Sequence, residues 1–255
     1  MFNLDIRLPK AEKIHSFSSE RATWDFFSPG NSLFYFIRSD EYFSYGSIVD
    51  VFPDFWHLFI GKSSSLNLGS KSFLTSSEFM AVYIPPFEPV KWDIKPGFFS
   101  WVGFASNKFY DNFPKKPVAF VWDKNLIINT PQDLEFIFAS DREFTSFDYK
   151  KNISKLAQLC KNRIDGSFTE AFSLSALAKE LSLSSAAITK AFKSAFEITP
   201  KSYMSRLRLL RSLNLIFVQR LSSTDSCYEG GFGDYSRFGR ICNNVLSVPP
   251  SKFQP

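Results

Sequence analysis

Two short stretches near the C-terminal end of the sequence carry cationic and hydroxyl side chains at helical spacing. In residues 185–196 the apolar stripe is Ile188, Ala191 and Phe192. The opposite face of that stretch consists of Ala186, Thr189, Lys190 and Lys193. The second stretch arranges Tyr235, Ser236, Arg237, Gly239 and Arg240 around an inward Phe238. The hydroxyl, ammonium and guanidinium groups of these stretches donate hydrogen bonds, but they do not combine a nucleophile with a general base. Both stretches therefore indicate binding rather than catalysis.

The first stretch belongs to a segment, Leu174–Phe192, whose pattern predicts two short helices that cross at a tight turn. Apolar or small residues recur at Leu177, Ala178, Leu181, Leu183, Ile188 and Ala191. Ser182 lies at the turn, where a positive φ is expected, and Ser184 or Ser185 can cap the second helix, which runs over Ser185–Phe196. The segment predicts a helix-turn-helix unit, and an ordinary helical hairpin in a bundle is the alternative.

Charge is distributed unevenly along the 255 residues. Residues 1–150 contain 15 Lys and Arg against 18 Asp and Glu, whereas residues 151–255 contain 15 against 7. Neutralised phosphates supply much of the affinity of proteins for DNA, so a basic C-terminal module beside a near-neutral one favours double-stranded DNA as the partner. The alternative is an ordinary solvated charged face.

The second stretch carries a more specific motif. Gly231–Arg240 reads GFGDYSRFGR and resembles the G-F-x-D-x-S-x-F-x-R signature of the AraC/XylS family of transcription activators. Related phrases close the two units at Ile198–Tyr203 and Val248–Phe253, so the resemblance covers roughly residues 168–254. It implies two helix-turn-helix units, here Leu174–Phe192 and Ser223–Arg240, joined by a long helix that fixes their spacing.

The resemblance also implies roles for individual residues. Ala186, Thr189 and Lys190 correspond to base-reading positions of the first recognition helix, and Lys193 is better placed for a phosphate. In the second recognition helix Arg240 and Arg237 compete for a guanine or a phosphate, while Asp234 is expected to cap the helix. Tyr235 and Ser236 share the outward face. As an alternative, both arginines are solubilising charges.

The second unit departs from the family pattern. Its first helix has Ser226, Cys227 and Gly230 at the positions of Leu177, Ala178 and Leu181, and Ser223 replaces an aliphatic residue. We therefore expect this helix to be the least anchored part of the domain, held mainly by Tyr228, Phe232 and Phe238. The glycines that the family places before its closing phrases are replaced by Glu197 and Ser247.

Two further helices are expected. The central helix, Pro200–Arg220, has an inward stripe of Tyr203, Leu207, Leu210, Leu213 or Asn214, and Phe217. We expect its arginines, Arg206, Arg208, Arg211 and Arg220, to be mostly solvated or paired, with one or two touching the DNA backbone. A linker helix within Phe147–Ile164 has Ile153, Leu156 and Leu159 or Cys160 on one face. It is either a homodimer contact or a helix that packs on its own N-terminal domain.

The N-terminal half is rich in aromatic residues and strand signals. It holds 34 of the 45 Phe, Trp and Tyr residues and all five Trp. Strands are predicted at Leu33–Ile37, Ser47–Phe52, Phe55–Ile60, Phe79–Ile84, Phe98–Ala105 and Val118–Trp122, with turns between them, including one at Asn67–Ser70. The pattern favours a β-sandwich or barrel, and the family resemblance implies a cupin-like barrel, with Ala81–Pro89 similar to an I-P-P turn of such barrels.

This half could bind a small apolar or aromatic-stacking effector, or instead serve dimerisation or protein contact. Five residues could line a pocket for such a ligand: Trp24, Trp56, Trp92, Trp101 and Trp122. With only His15 and His57 and no H-x-H pair, a metal site is not expected. Catalytic triads, phosphate loops, zinc spacings and other cofactor motifs are not apparent. Cys160, Cys227 and Cys242 are expected to be buried, reduced thiols.

Together these patterns predict an α+β protein: a β-rich sensing or dimerisation domain (1–148), a linker helix (149–167) and a DNA-binding domain with two helix-turn-helix units (168–255). The predicted function is sequence-specific transcriptional regulation, most simply activation with RNA polymerase as partner, in the cytoplasm on the nucleoid, without a secretory peptide or a membrane span. Two alternatives remain. One is a regulator whose degenerate second unit contacts a protein, and the other is a DNA repair or modification enzyme.

Overall fold

The computed structural model of the protein describes residues 5–19, 22–30, 32–62, 66–68, 79–146, 153–170 and 172–253. The strands are β1 Glu12–Ser18, β2 Ala22–Gly30, β3 Leu33–Tyr42, β4 Gly46–Asp50, β5 Trp56–Lys62, β6 Leu66–Leu68, β7 Met80–Ile84, β8 Val90–Ile94, β9 Gly97–Ser106, β10 Val118–Val121 and β11 Thr145–Ser146. The helices are α1 Asp133–Phe138, α2 Lys155–Asp165, α3 Leu174–Glu180, α4 Ser185–Phe196, α5 Pro200–Phe217, α6 Ser223–Glu229 and α7 Tyr235–Leu246, followed by a short 3-10 helix, Pro250–Lys252. The chain is therefore mainly β in its N-terminal half and helical in its C-terminal part, as predicted.

The strands form two antiparallel sheets. The large sheet has the order β1-β2-β3-β9-β5-β7-β10-β11, and the small sheet has the order β4-β8-β6. One face of the large sheet packs on Trp92 of the small sheet, while the other face covers Leu134 and Ile137 of α1. This two-sheet arrangement agrees with the sandwich form of the predicted N-terminal domain.

Both faces of the central strands are buried, and the pleat assigns neighbouring residues to opposite sides. In β9, Phe99 and Trp101 belong to the core on one face, whereas Val102 and Phe104 belong to the core on the other. Gly103 leaves room for the Phe36 ring of β3, since a Cβ there would lie 2.4 Å from that ring. Strands buried on both faces are nearly continuous apolar runs. Their apolar composition therefore predicts them better than an alternation of apolar and polar residues does.

All six predicted strands are present, but the prediction was incomplete. It missed β1, β2, β6, β8 and β11. It was also wrong at Asn67 and Leu68, which lie in β6 rather than in a turn, and Gly69 and Ser70 lie outside the described residues.

The C-terminal helices follow the prediction closely. Helix α4 has the predicted bounds, and α5 begins at Pro200 as predicted but ends at Phe217, three residues early. Glu197 and Ser247 adopt left-handed conformations with φ of 59° and 58°, and Ser182 has φ 53°. The backbone therefore keeps the geometry that glycine would favour, at some cost in strain.

Helix α2 differs in the side it buries. Ala157, Cys160 and Ile164 are buried in the core that includes α4 and α5, whereas Ile153 and Leu159 are exposed. Of the two predicted alternatives, Cys160 lies on the buried face and Leu159 does not. The helix packs on the first helix-turn-helix unit, in a core that also includes Val51 of the β domain. Residues 147–152 of the predicted linker lie outside the described part of the chain.

The two halves share a continuous core. Phe26 of β2 stacks on Phe217 of α5 with ring centroids 4.2 Å apart, and Phe17 of β1 meets Phe253 at 5.3 Å. At the other end of α5, the Tyr203 hydroxyl donates to the Phe87 carbonyl oxygen (3.1 Å) or to Asp165 Oδ1 (2.7 Å). In the part of the chain that the structure describes, no helix has the length and apolar character needed to cross a bilayer.

Candidate DNA interface

The first helix-turn-helix unit consists of α3 and α4. Ser173 caps α3 and Ser184 caps α4, their hydroxyls accepting from the backbone N–H of Ala176 (3.2 Å) and Ala187 (3.1 Å). Leu177 and Ala178 of α3 pack against Ile188 and Phe192 of α4, and all four are buried. The unit is therefore a well-filled, capped pair of helices.

This packing determines which face of α4 is available. Ala186, Lys190 and Lys193 are exposed and Thr189 is half-buried at the edge of the same face. Neither Lys190 nor Lys193 has a partner among the described residues. A helix that presents two unpaired ammonium groups, a hydroxyl and a methyl group matches the donors and apolar contacts used in the major groove.

The second recognition helix, α7, is positioned by two contacts. The Asp234 carboxylate caps it as predicted, accepting from the backbone N–H of Ser236 at 2.8 Å and of Arg237 at 3.3 Å. Phe238 is fully buried and lies against Phe232 at 5.2 Å. Ser236 and Arg240 are then exposed.

Two of the predicted contact residues on α7 also belong to the scaffold. Tyr235 is half-buried, its hydroxyl lies 3.1 Å from Ser223 Oγ, and its ring meets Phe238 edge to face. Arg237 is half-buried too. The pKa of Arg208 is lowered first by the burial of Arg208 and then by the positive charge of Arg237. Arg240 is therefore the cation of α7 with the freest approach to a ligand.

Helix α6 corrects the expectation of a poorly anchored second unit. Ser223, Ser226, Cys227 and Gly230 are buried, whereas Tyr228 is 55% exposed and is no anchor. The small side chains let α6 approach α5 closely: a Cβ on Gly230 would lie 1.9 Å from Ser212 Oγ. Close packing of small groups replaces burial of large ones, and Phe232 and Phe238 complete the core as predicted.

The arginines of α5 are engaged within the protein. Arg206 pairs with Asp50 (2.5 Å) and Arg211 with Asp54 (2.7 Å), both on the β domain. Arg208 is buried and donates to the carbonyl oxygens of Phe168 and Glu170. The expectation that they are paired is confirmed for these three, and that pairing leaves them unsuited to the predicted contact with the DNA backbone. Arg220 lies beyond the helix, 3.5 Å from the Ile14 carbonyl oxygen.

Comparison with known proteins agrees with this geometry. A family model described as a helix-turn-helix domain matches residues 177–255. The chain is 30% identical over 105 residues to the HTH-type transcriptional activator RhaS of Enterobacter sp. (strain 638), which is 41% of this chain and 37% of the relative. It is 32% identical over 99 residues to RhaS of Salmonella arizonae, which is 39% of this chain and 35% of the relative.

Residues 177–255 thus match a helix-turn-helix domain and are similar to part of these HTH-type transcriptional activators. The matched segment spans about a third of the length of these curated relatives. These relatives are named as transcriptional activators.

Two solved structures also match parts of the chain. The C-terminal domain of the response regulator yesN from Fusobacterium nucleatum is 26% identical, covers 40% of this chain and all of its own, and has a TM-score of 0.37. The unsaturated fatty acid-bound structure of ToxT from Vibrio cholerae is 15% identical, covers 84% of this chain and 96% of its own, and has a TM-score of 0.44.

A cavity of about 400 Å³ lies between the β domain and the helix-turn-helix domain. Its wall includes Trp24, Trp92 and Trp101, so the predicted aromatic pocket is right for three of five tryptophans. Trp56 and Trp122 belong to the core on the other face of the large sheet. Helix α5 contributes Leu210 and Leu213 among others, and α7 contributes Asn244, Val245 and Leu246.

His57 is the titratable group buried in the cavity wall. Its ring stacks on Phe52 at 3.8 Å, and burial lowers its pKa to about 3. The described residues contain no cluster of His, Cys, Asp or Glu that could hold a metal ion. The three cysteines are free and buried, as expected, and burial raises the pKa of Cys160 and Cys227 to about 11.

Gly230→Ala tests the close packing of the second unit. The added Cβ overlaps Ser212 Oγ, so we expect the free energy of unfolding to fall by about 1–3 kcal/mol in urea titrations. Adding Ser212→Ala should recover part of the loss, because that hydroxyl has no hydrogen-bond partner in the described residues. Gly233→Ala is the control, since a Cβ there has no neighbour within 4 Å. If Gly230→Ala and Gly233→Ala were equally stable, α6 and α5 would not be closely packed.

His57→Phe tests the buried, neutral imidazole. The folded-state pKa lies below the unfolded value, so the unfolded chain binds the proton first and stability falls as the pH drops from about 6.5 towards 3. Between pH 7 and 4.5 the wild type should lose about 2–3 kcal/mol more than His57→Phe. The comparison requires urea unfolding of each protein at both pH values. A parallel loss in both would mean that His57 is not buried as described.

Proposed function

We propose that this protein is a sequence-specific transcriptional regulator that contacts promoter DNA through both of its recognition helices. The observation that carries the proposal is the pair of capped helices, α4 and α7, flanking α5 in the chain with polar faces exposed. An 18-residue helix is about 27 Å long, which is comparable to the roughly 34 Å of one turn of B-DNA. With α5 between them, α4 and α7 can therefore enter successive major grooves.

The proposed roles follow from side-chain chemistry. Lys190 and Thr189 would contact base edges, Ala186 would contact a thymine methyl group, and Lys193 would contact a phosphate. On α7, Arg240 is the proposed principal base contact, since Tyr235 and Arg237 are half-buried. Ser236 and Arg237 lie at the edge of the exposed face of α7 and suit contacts with the DNA backbone.

Activation of transcription is the more favoured direction because the curated relatives are named activators. RNA polymerase is then a proposed partner, and DNA as the ligand would place the protein in the cytoplasm, on the nucleoid.

Homodimerisation is a further proposal. The candidate contact is the exposed pair of Ile153, which precedes α2, and Leu159 of α2, because the other face of α2 is buried.

The two alternative functions are less favoured by the structure. A degenerate second unit that contacts only a protein does not fit α6, which is closely packed on α5, or α7, which is capped and carries an exposed Arg240. DNA repair through a reactive cysteine does not fit thiols whose pKa is raised by burial, because the thiolate is the nucleophile.

The cavity supports the proposal that a small effector controls DNA binding. A ligand in it would touch the β domain, α5 and the end of α7 at the same time. Binding would therefore bias the orientation of the second recognition helix relative to the first, provided that the ligand binds two such orientations with different affinities.

Lys190→Ala and Arg240→Ala test the contact assignment. Sites selected from random DNA by the purified protein serve as probes in mobility-shift titrations at fixed salt. We expect Lys190→Ala to weaken binding several-fold and Arg240→Ala about 10- to 100-fold, since a fork of guanidinium donors on a guanine is the stronger contact.

The controls are Lys193→Ala and Lys124→Ala. Lys193→Ala should weaken binding to all sequences alike and reduce the salt dependence by about one phosphate contact. Lys124 lies on the β domain beside Asp5, and its replacement should leave affinity unchanged. Unchanged affinity of both Lys190→Ala and Arg240→Ala would refute the proposed interface.

A further inference from the structure

Helix α7 contains a glycine in its interior. Gly239 is the fifth of the twelve residues of this helix, and its backbone does not adopt the left-handed conformation that favours glycine. A glycine inside a helix destabilises it relative to alanine, because the glycine backbone loses more conformational freedom on folding. Retaining glycine at this position therefore requires either a packing constraint or a functional one.

The packing of the second unit supplies no such constraint. Among the described residues, the nearest contact of a Cβ on Gly239 would be Pro250 Cδ at 3.8 Å, an ordinary van der Waals distance. Gly230 differs, since a Cβ there would lie 1.9 Å from Ser212 Oγ. The fold therefore requires glycine at position 230 but has room for alanine at position 239.

Gly239 occupies the same position in α7 as Thr189 does in α4. Both helices have twelve residues, begin after a side-chain cap and end before a left-handed residue. Ser236, one turn before Gly239, and Asn243, one turn after it, are both exposed. Because residues three and four apart are neighbours on a helix surface, Gly239 adjoins the exposed face of α7. The corresponding Thr189 is the residue of α4 for which a base contact is proposed above.

The residues around Gly239 make this edge of the face shallow. Ser236 has a short side chain, and Gly239 adds nothing beyond the backbone, whereas Arg240 can extend well past both. Glycine allows a backbone to approach a ligand closely. The major groove is about as wide as a helix, so a helix without a side chain at its contact edge can lie deeper in the groove. A short hydroxyl such as that of Ser236 reaches DNA only from a helix that lies close to it.

We propose that Gly239 is a specificity-determining residue of the second recognition helix, because the absence of a side chain there lets α7 lie close to the base edges. The proposal rests on the contact of α7 with DNA, which is itself proposed above. It gives the two recognition helices different modes of reading. Helix α4 reads with side chains that include Thr189, whereas α7 reads by close approach together with Arg240.

Gly239→Ala separates folding from recognition, because the two should change in opposite directions. The midpoint of urea unfolding should rise by about 0.2–0.5 M, since alanine favours the helix and has room beside Pro250. In mobility-shift titrations at fixed salt, affinity for the selected site should fall about tenfold, the size of one lost base contact. Affinity for random-sequence DNA should change by less than about twofold, because phosphate contacts supply it.

A second measurement locates the effect on the DNA. Sites selected from random DNA by Gly239→Ala should show altered base preferences at the positions that Arg240→Ala also affects, and unchanged preferences at those that Lys190→Ala affects. Gly166→Ala is the matched control. Gly166 ends α2 with φ −78°, lies outside both helix-turn-helix units, and its replacement should leave both the affinity and the base preferences unchanged.

Four results would overturn the proposal: unchanged affinity of Gly239→Ala for the selected site, an equal loss of selected and random-sequence binding, unchanged base preferences, or a lower unfolding midpoint, which would mean that packing requires the glycine. Arg240→Ala keeps this test apart from the proposed function. If Arg240→Ala weakens binding but Gly239→Ala does not, only the role of Gly239 is wrong. If neither variant weakens binding, α7 does not contact DNA and the proposed function fails at the second unit.

Discussion

The rest of the structure depends on the burial of helix α5. Most soluble helices bury one face, but α5 contacts both helix-turn-helix units and the β domain, so it is buried on nearly all sides. Its arginines make this possible, because Arg206 and Arg211 pair with Asp50 and Asp54 of the β domain. Stacking of Phe217 on Phe26 fixes its C-terminal end. The spacing and the orientation of α4 and α7 follow from this one helix.

This arrangement places the cavity next to the second of the two proposed recognition helices. Residues of α5 and the last turn of α7 form part of the wall of the cavity. The remainder belongs to the two sheets and, at Phe52 and Phe55, to the connection between β4 and β5. A change in the packing of that wall therefore acts on the same contacts that hold the second recognition helix. The start of α5 and the end of α4 are held to the β domain separately, through Tyr203 and through the pair of Lys91 with Glu197 at 2.8 Å.

Local features of the DNA-binding domain were predictable from the sequence. Caps at Ser184 and Asp234, the left-handed residues Glu197 and Ser247, and the bounds of α4 depend on neighbouring residues alone. Features set by distant contacts were not predictable. The fit of Gly230 against Ser212 was mistaken for a degraded helix, and the acidic partners of Arg206 and Arg211 come from more than 150 residues away. Likewise, composition could not separate Trp92 and Trp101 from Trp56, because only the sheet assigns them to opposite faces.

The central claim is that both recognition helices contact DNA at a spacing set by α5. Methylation-interference footprinting of the intact protein on its selected site tests this claim most directly. Our account predicts two groups of major-groove contacts about one helical turn, or 10–10.5 base pairs, apart for each bound chain. A single group of contacts, unaffected by Arg240→Ala, would contradict it.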